Sequence, residues 1–115
     1  MKRWFNSFGY AVQGIGWFFQ KDRNGKIELF LALITVIAGF IFHISVLEWC
    51  LVLLCIGGVL SAEMFNSALE KLANQVTLEK NPEIGKLKDM AAAAVLMMAI
   101  IAGIIGGFIF VPKFL

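Results

Sequence analysis

Two long apolar stretches dominate the pattern of the chain. Residues 29–47 are interrupted only by the polar residues Thr35, His43 and Ser45, and residues 90–111 contain no charged residue before Pro112. A helix of about 19 residues extends roughly 28 Å, which is close to the hydrocarbon thickness of a bilayer. The two stretches therefore predict transmembrane helices over residues 29–47 and 88–111, the second of them stopped by Pro112.

A third apolar stretch, residues 49–62, is too short to cross a membrane alone. Its 14 residues would extend only about 21 Å as a helix. A helix that begins at Trp49 must therefore carry the polar residues that follow it partly into the membrane. We predict a second transmembrane helix over residues 49–76, with a cytoplasmic extension.

The first 20 residues show another pattern. Aromatic and aliphatic residues recur there at helical spacing, but they alternate with Lys, Asn, Ser, Gln and Gly. This pattern is typical of an amphipathic helix that lies in the membrane interface. We predict such a helix over residues 1–20, although its three glycines weaken it. The polar residues 21–26 are expected to form the elbow into the first span.

Positive charge along the chain indicates an orientation. Nine of the ten Lys and Arg residues lie either before the first predicted span or between the cytoplasmic extension of the second and the start of the third, and only Lys113 follows the third. Because basic residues are enriched in cytoplasmic segments of membrane proteins, we expect a cytoplasmic N-terminus and a C-terminus on the outer side.

The composition agrees with a single membrane domain over residues 1–115. The chain is 60% hydrophobic and 16% charged, whereas soluble domains are about half apolar and a quarter charged. Its formal charge of +2 is scattered among apolar residues, which excludes a nucleic-acid groove. Cys50 and Cys55 lie five residues apart on different faces of a helix, so they form neither a metal pair nor a local disulfide.

Polar residues follow the short apolar stretch on one helix face. The segment AEMFNSALEKLAN, residues 62–74, contains Glu63, Asn66, Ser67, Glu70 and Asn74. At about 100° per residue, these five side chains share an arc of about 100°, and Glu63 and Glu70 are about 10 Å apart along the axis. We call these five residues the polar stripe.

Two interpretations of the polar stripe are open at this point. Its residues could simply hydrogen-bond a neighbouring helix, and a helix that leaves the membrane must in any case become polar. Ionisable groups at membrane depth are costly, however, and favour a functional role. Asp22, Glu28, Lys88 and Asp89 lie at the same predicted end of the other two spans. Such carboxylates and a lysine could hold a divalent cation and a polyphosphate.

The segment AEMFNSALEKLAN closely resembles the E-x-x-N-[ST]-A-[IL]-E motif of the small bacterial diacylglycerol kinase and undecaprenol kinase family. Residues 86–96, KLKDMAAAAVL, resemble the A-K-D-x-x-[AS]-[AG]-A-V-L segment of that family, and residues 79–85, EKNPEIG, resemble its connecting loop. The resemblance extends from about Tyr10 to about Ile101.

The resemblance implies an all-α integral membrane protein with three transmembrane helices and an interfacial N-terminal helix. It also implies a homotrimer in the bacterial cytoplasmic membrane, with active sites at the subunit contacts. The implied reaction transfers the γ-phosphoryl group of ATP to a lipid hydroxyl with Mg²⁺. The acceptor would be diacylglycerol or undecaprenol, and residues 43–49, HISVLEW, and 24–28, NGKIE, are similar to the undecaprenol kinase side of the family.

The resemblance also implies roles for individual residues. Glu63 matches the general base and Asn66 a polar residue of the active site, and Glu63 and Ser67 are expected to bind the lipid. Asp22 and Glu70 match the two metal ligands. Lys88 and Asp89 match the pair that meets the nucleotide phosphates. The full expected set of nucleotide-binding residues is Arg3, Tyr10, Asp22, Glu70, Glu79, Lys88 and Asp89.

Three departures from the family pattern keep alternatives open. Asp22 stands where glutamate is usual, Asn74 replaces an aspartate, and Lys80 and Asn81 replace the tyrosine and histidine of the loop. These departures are compatible with a catalytically impaired relative that acts as a membrane assembly or lipid-binding partner. A small multidrug exporter is the other alternative, but it requires four spans and a charge near mid-membrane, whereas three spans with charges at one end are predicted here.

Overall fold

The chain folds into four α-helices, and the computed structural model describes all 115 residues. Helix α1 covers Lys2–Lys21, α2 covers Arg23–Ile41, α3 covers Val46–Val76 and α4 covers Pro82–Phe114. Helix α3 packs mainly against α4 and less against α2, whereas α1 packs mainly on α2. The predicted all-helical fold is confirmed.

Three of the helices, α2, α3 and α4, are long and apolar enough to cross a membrane. Helices α3 and α4 contain 31 and 33 residues, more than the roughly 20 that a bilayer requires. Only nine of the 115 residues are buried within the chain, so most apolar side chains face outward. That distribution is the one expected of a multi-pass membrane protein.

Local sequence signals set where the helices begin. Asp22 caps α2, and Asn81 caps α4, whose first residue is Pro82. At the start of α3, the Ser45 side chain accepts a hydrogen bond from the amide of Glu48, and the Glu48 carboxylate accepts one from the amide of Ser45. This reciprocal capping box satisfies two amides that a helix start would leave unpaired.

Helix limits differ from the predicted spans at most of their ends; α3 begins at Val46 rather than at residue 49, and α4 begins at Pro82 rather than at residue 88. Helix α2 ends at Ile41 rather than at residue 47, because the capping box at Ser45 starts a new helix after a tight turn in which His43 adopts a φ of 51°. The polar elbow shrinks to Asp22, since the residues after it form the first turn of α2. Pro112 does not stop α4, which continues to Phe114. A proline so near the end removes one hydrogen bond of the last turns without breaking the helix.

The bundle has two distinct ends. At one end, which we call the polar end, the Ser67 hydroxyl of α3 donates to the Asp22 carboxylate, and the Lys88 ammonium of α4 donates to the Asn74 side chain of α3. At the opposite end, Lys113 Nζ lies 3.4 Å from Glu48 Oε2 and joins α4 to α3. The polar stripe and the start of α4 therefore share one end of the molecule.

Candidate functional site

The structure divides the polar stripe into a buried part and an exposed part. Glu63 is 3% exposed, and Asn66 and Ser67 are each 8% exposed. Glu70 and Asn74, which lie nearer the end of α3, are exposed. A carboxylate and two neutral polar groups are thus enclosed where α3 packs on its neighbours, while the next two members of the stripe face the surroundings.

Asp22 is brought from the α1–α2 junction into contact with the buried part of the stripe. Its Oδ1 accepts a hydrogen bond of 2.7 Å from the amide of Gly25, as expected for a residue that caps a helix. Its Oδ2 accepts a hydrogen bond from the hydroxyl of Ser67, 45 positions further along the chain. The carboxylate is therefore fixed from both sides.

The Glu63 carboxylate lies among other polar groups. Ser67, one turn further along α3, donates its hydroxyl to Asp22, and the carboxylates of Asp22 and Glu70 lie close enough to act on Glu63 as like charges. Glu28 lies close enough for Glu63 and Asp22 to act on it in the same way. Two buried oxygens in this region, Asn66 Oδ1 and Glu28 Oε2, have no hydrogen-bond partner. The arrangement concentrates negative charge and open acceptor atoms at one place.

The donor atoms suit a hard divalent cation. The groups available are the carboxylates of Asp22, Glu63 and Glu70 and the unpaired oxygen of Asn66. Magnesium prefers oxygen ligands and is usually held by one or two carboxylates together with phosphate oxygens and water. Within one chain these side chains do not form a cluster of three acidic, His or Cys ligands around one point. The residues present therefore fit an ion that the protein shares with a phosphate-bearing ligand.

A second polar feature lies where α3 leads into α4. A hollow of about 250 Å³ is enclosed by residues 77–81 and the first turns of α4, and Lys88, Lys80 and Glu79 are among its lining residues. Lys88 Nζ donates a hydrogen bond of 2.8 Å to Asn74 Oδ1. The hollow is therefore lined by two lysines, of which Lys88 holds its ammonium group beside the exposed end of the polar stripe.

An apolar groove runs between α2, α3 and α4. Its volume is about 540 Å³, and most of its lining residues are hydrophobic. The α3 residues that line it extend from Val52 to Leu60, so the groove ends about one helical turn before Glu63. Glu28 contributes a polar group to the lining. The groove is thus an apolar passage that leads toward the buried carboxylate of Glu63.

Some expected site residues are not brought together with the others within one chain. Arg3 and Tyr10 lie on α1, which packs mainly on α2, and both side chains are exposed. Asp89 is also exposed, one residue beyond Lys88. Glu63, Asn66 and Ser67 form the buried group, and the half-buried Asp22 contacts it through Ser67. The remaining expected residues surround this group or lie apart from it.

Two residues of the site carried no signal of their own in the sequence. Asn24 is one of several polar residues in the segment that was expected to be an elbow, and the early start of α2 places it in the first turn of that helix, near Glu63. Glu28 was noticed at the end of the first span but had no predicted role. Its position in the lining of the apolar groove follows from the packing of three helices.

A buried carboxylate one helical turn beyond an apolar groove, in a bundle with three helices able to span a membrane, defines a multi-pass membrane protein with a polar site at the end of an apolar groove. The pattern of the prokaryotic diacylglycerol kinase family matches residues 9–110. The chain is 37% identical over 113 residues to an undecaprenol kinase of Bacillus subtilis, covering 98% of this chain and 92% of that protein.

Two further relatives are named diacylglycerol kinases. A protein of Synechocystis is 33% identical over 110 residues, which cover 95% of this chain and 63% of that protein. A protein of Haemophilus influenzae is 30% identical over 106 residues, which cover 91% of this chain and 90% of that protein. The chain therefore belongs to the prokaryotic diacylglycerol kinase family, a family of lipid kinases, and the resemblance seen in its motifs is confirmed.

Proposed function

We propose that this protein transfers the γ-phosphoryl group of ATP to the hydroxyl of a membrane lipid, either undecaprenol or diacylglycerol. The observation that carries the proposal is the burial of Glu63, 3% exposed, one helical turn beyond the apolar groove and beside the fixed carboxylate of Asp22. A lipid whose chain occupies the groove would present its hydroxyl at this carboxylate.

Glu63 is the general base in this proposal. Its carboxylate accepts the proton of the lipid hydroxyl while the lipid oxygen forms a bond to the γ-phosphorus, and ADP leaves with the electrons of the broken phosphoanhydride bond. The proton then passes to water. Asn66, whose side-chain oxygen is unpaired, and the oxygen of Ser67, whose hydroxyl proton is donated to Asp22, are the groups proposed to orient the lipid hydroxyl as acceptors.

Asp22 and Glu70 are the proposed magnesium ligands. A bound Mg²⁺ would neutralise charge on the phosphate oxygens and orient the triphosphate. Asp22 is already positioned by Gly25 and Ser67, while Glu70 is exposed on the same helix face as Glu63. The contact of Asp22 with Ser67 of α3 supports this role despite the shorter side chain of aspartate.

Lys88 and Asp89 are proposed to meet the phosphates, and Glu79 to contact the nucleotide at the hollow of about 250 Å³. A lysine beside the transferred group stabilises the negative charge that must be held during phosphoryl transfer. Arg3 and Tyr10 are the remaining proposed nucleotide contacts. Because α1 holds them away from the stripe within one chain, they require a neighbouring subunit, and a homotrimer with shared sites accounts for this requirement.

The identities to the relatives favour undecaprenol as the first acceptor to test. The 37% identity to a protein named undecaprenol kinase exceeds the 33% and 30% identities to two proteins named diacylglycerol kinases. We further propose that the protein lies in the bacterial cytoplasmic membrane with the polar end inward, since nine of its ten basic residues lie in segments at that end. Helix α1 would lie in the interface, with the exposed rings of Trp4, Phe5 and Phe8 in lipid.

The test combines purified protein with ATP, magnesium and either lipid, and follows phosphate into the organic phase. Glu63→Gln removes the base without changing the size of the side chain, and it is expected to lower phosphorylation by at least a hundredfold. Glu48→Gln is the matched control, because it makes the same change on the same helix at the opposite end. Equal rates for wild type and Glu63→Gln would remove Glu63 as the base. No phosphorylation of either lipid by the wild type would favour the assembly-partner alternative.

A further inference from the structure

The hydrogen bond between Lys88 and Asn74 joins the polar stripe to the start of α4. Lys88 Nζ lies 2.8 Å from Asn74 Oδ1, and the two residues are 14 positions apart in the sequence. It is the one side-chain hydrogen bond that connects α3 and α4 at the polar end, since their other link, between Glu48 and Lys113, lies at the opposite end. The position of the Lys88 ammonium therefore depends on Asn74.

The chemistry of this bond leaves the charge of Lys88 available. An ammonium has three N–H donors, and Asn74 uses one of them through a neutral amide oxygen. Two donors and the full positive charge remain free at the wall of the hollow of about 250 Å³. A carboxylate at the same distance would pair with the ammonium, compete for its donors and repel a polyphosphate.

The bond to Asn74 also lowers the entropic cost of ordering the Lys88 side chain when a ligand binds. A lysine is a point charge on a flexible four-carbon stem, and immobilising such a side chain when a ligand binds costs about 0.5–1.5 kcal/mol. A tether that orders the ammonium beforehand removes part of this cost. The neighbouring Lys80, which also lines the hollow, has no such bond.

We infer that Asn74 is a positioning residue, which holds the uncompensated ammonium of Lys88 at the hollow so that it meets the phosphates of the nucleotide. This inference rests on the proposed function, because it takes a nucleoside triphosphate as the ligand of the hollow. It gives a specific task to Asn74, which stands where the family pattern has an aspartate: in this chain it holds Lys88 without pairing with its charge.

The test measures binding of magnesium with the non-hydrolysable analogue AMP-PNP, and the KM for ATP, in Asn74→Asp. Its matched control is Gln75→Glu, which adds the same charge at the next position of α3, where the side chain is exposed and makes no hydrogen bond to Lys88. We expect Asn74→Asp to raise the Kd for AMP-PNP and the KM for ATP about fivefold relative to the control, as an exposed ion pair allows. The KM for the lipid should stay within twofold.

Two further variants separate positioning from a merely structural role. Asn74→Ala, which removes the tether without adding charge, should raise the Kd about threefold, and Asn74→Gln, which keeps an amide oxygen, should recover most of the affinity. Equal affinities of Asn74→Asp and Gln75→Glu, or tighter binding by Asn74→Asp, would overturn the inference even if the wild type phosphorylates lipid. Wild type that binds AMP-PNP with the expected order of variants but phosphorylates neither lipid would instead overturn the proposed acceptor. Wild type that does not bind the nucleotide would overturn both.

Discussion

Asp22 has two separable roles, and its replacement tests both. Asp22→Ala removes the cap of α2, which typically costs about 1 kcal/mol of stability. It also leaves the hydroxyl of Ser67, 8% exposed, without its acceptor, which costs about 1–3 kcal/mol. We therefore expect Asp22→Ala to lower the free energy of unfolding by about 2–4 kcal/mol.

Asp22→Asn should behave differently. Asparagine caps a helix as well as aspartate does, and its amide group can donate a hydrogen bond to Ser67. We expect this variant to lose less than about 1 kcal/mol of stability but to lose lipid phosphorylation, because the carboxylate proposed to bind magnesium is gone.

Equilibrium unfolding in SDS–detergent mixtures, followed by circular dichroism, measures both effects. A double-mutant cycle with Ser67→Ala isolates the contact across the two helices, and we expect a coupling of about 1 kcal/mol or more. Additivity of Asp22→Ala and Ser67→Ala to within about 0.5 kcal/mol would refute the reasoning, since it would show that the two side chains do not act on each other.

Two other substitutions test the packing and the opposite end of the bundle. Gly39→Ala would place a Cβ 2.7 Å from Cη2 of the Trp49 indole, so we expect the free energy of unfolding to fall by about 1–3 kcal/mol in the same assay. Gly57→Ala is the control, because nothing lies within 4 Å of the added carbon there. Equal losses of stability in the two variants would contradict the close contact at Gly39. Lys113→Gln removes the ion pair with Glu48 and should lower the free energy of unfolding by less than about 1 kcal/mol, with a smaller effect at high salt. A large loss of stability that is independent of salt would show that the ion pair is not its source.

The helical pattern of the sequence was enough to predict the polar stripe. Glu63, Asn66 and Ser67 were placed on one face by their spacing alone, and the structure buries all three. The helix limits were harder to predict, because hydropathy averaged over many residues does not show where the chain turns. Residues 42–47 are apolar enough to continue the first span, but Ser45 and Glu48 stand at the spacing of a capping box and start α3. That signal was present in the sequence and outweighs hydropathy.

The contacts between helices could not be predicted from spacing. The hydrogen bond from Ser67 to Asp22 depends on where two helices meet, and the bond from Lys88 to Asn74 depends on how the loop of residues 77–81 folds back. The proposed roles of Arg3 and Tyr10 could not be derived from a single chain for a related reason. Both side chains are exposed on α1, which packs mainly on α2, and their proposed contact with the nucleotide depends on a second copy of the chain.

The junction of α1 and α2 connects α1 directly to the Asp22 carboxylate. One residue, Asp22, separates the two helices, and Phe18 at the end of α1 packs on Gly25 in the first turn of α2. A movement of α1 relative to α2 would therefore displace the Asp22 carboxylate, whose Oδ2 also accepts a hydrogen bond from Ser67. In the proposed interfacial position of α1, a change in bilayer thickness or curvature would therefore displace one of the proposed magnesium ligands.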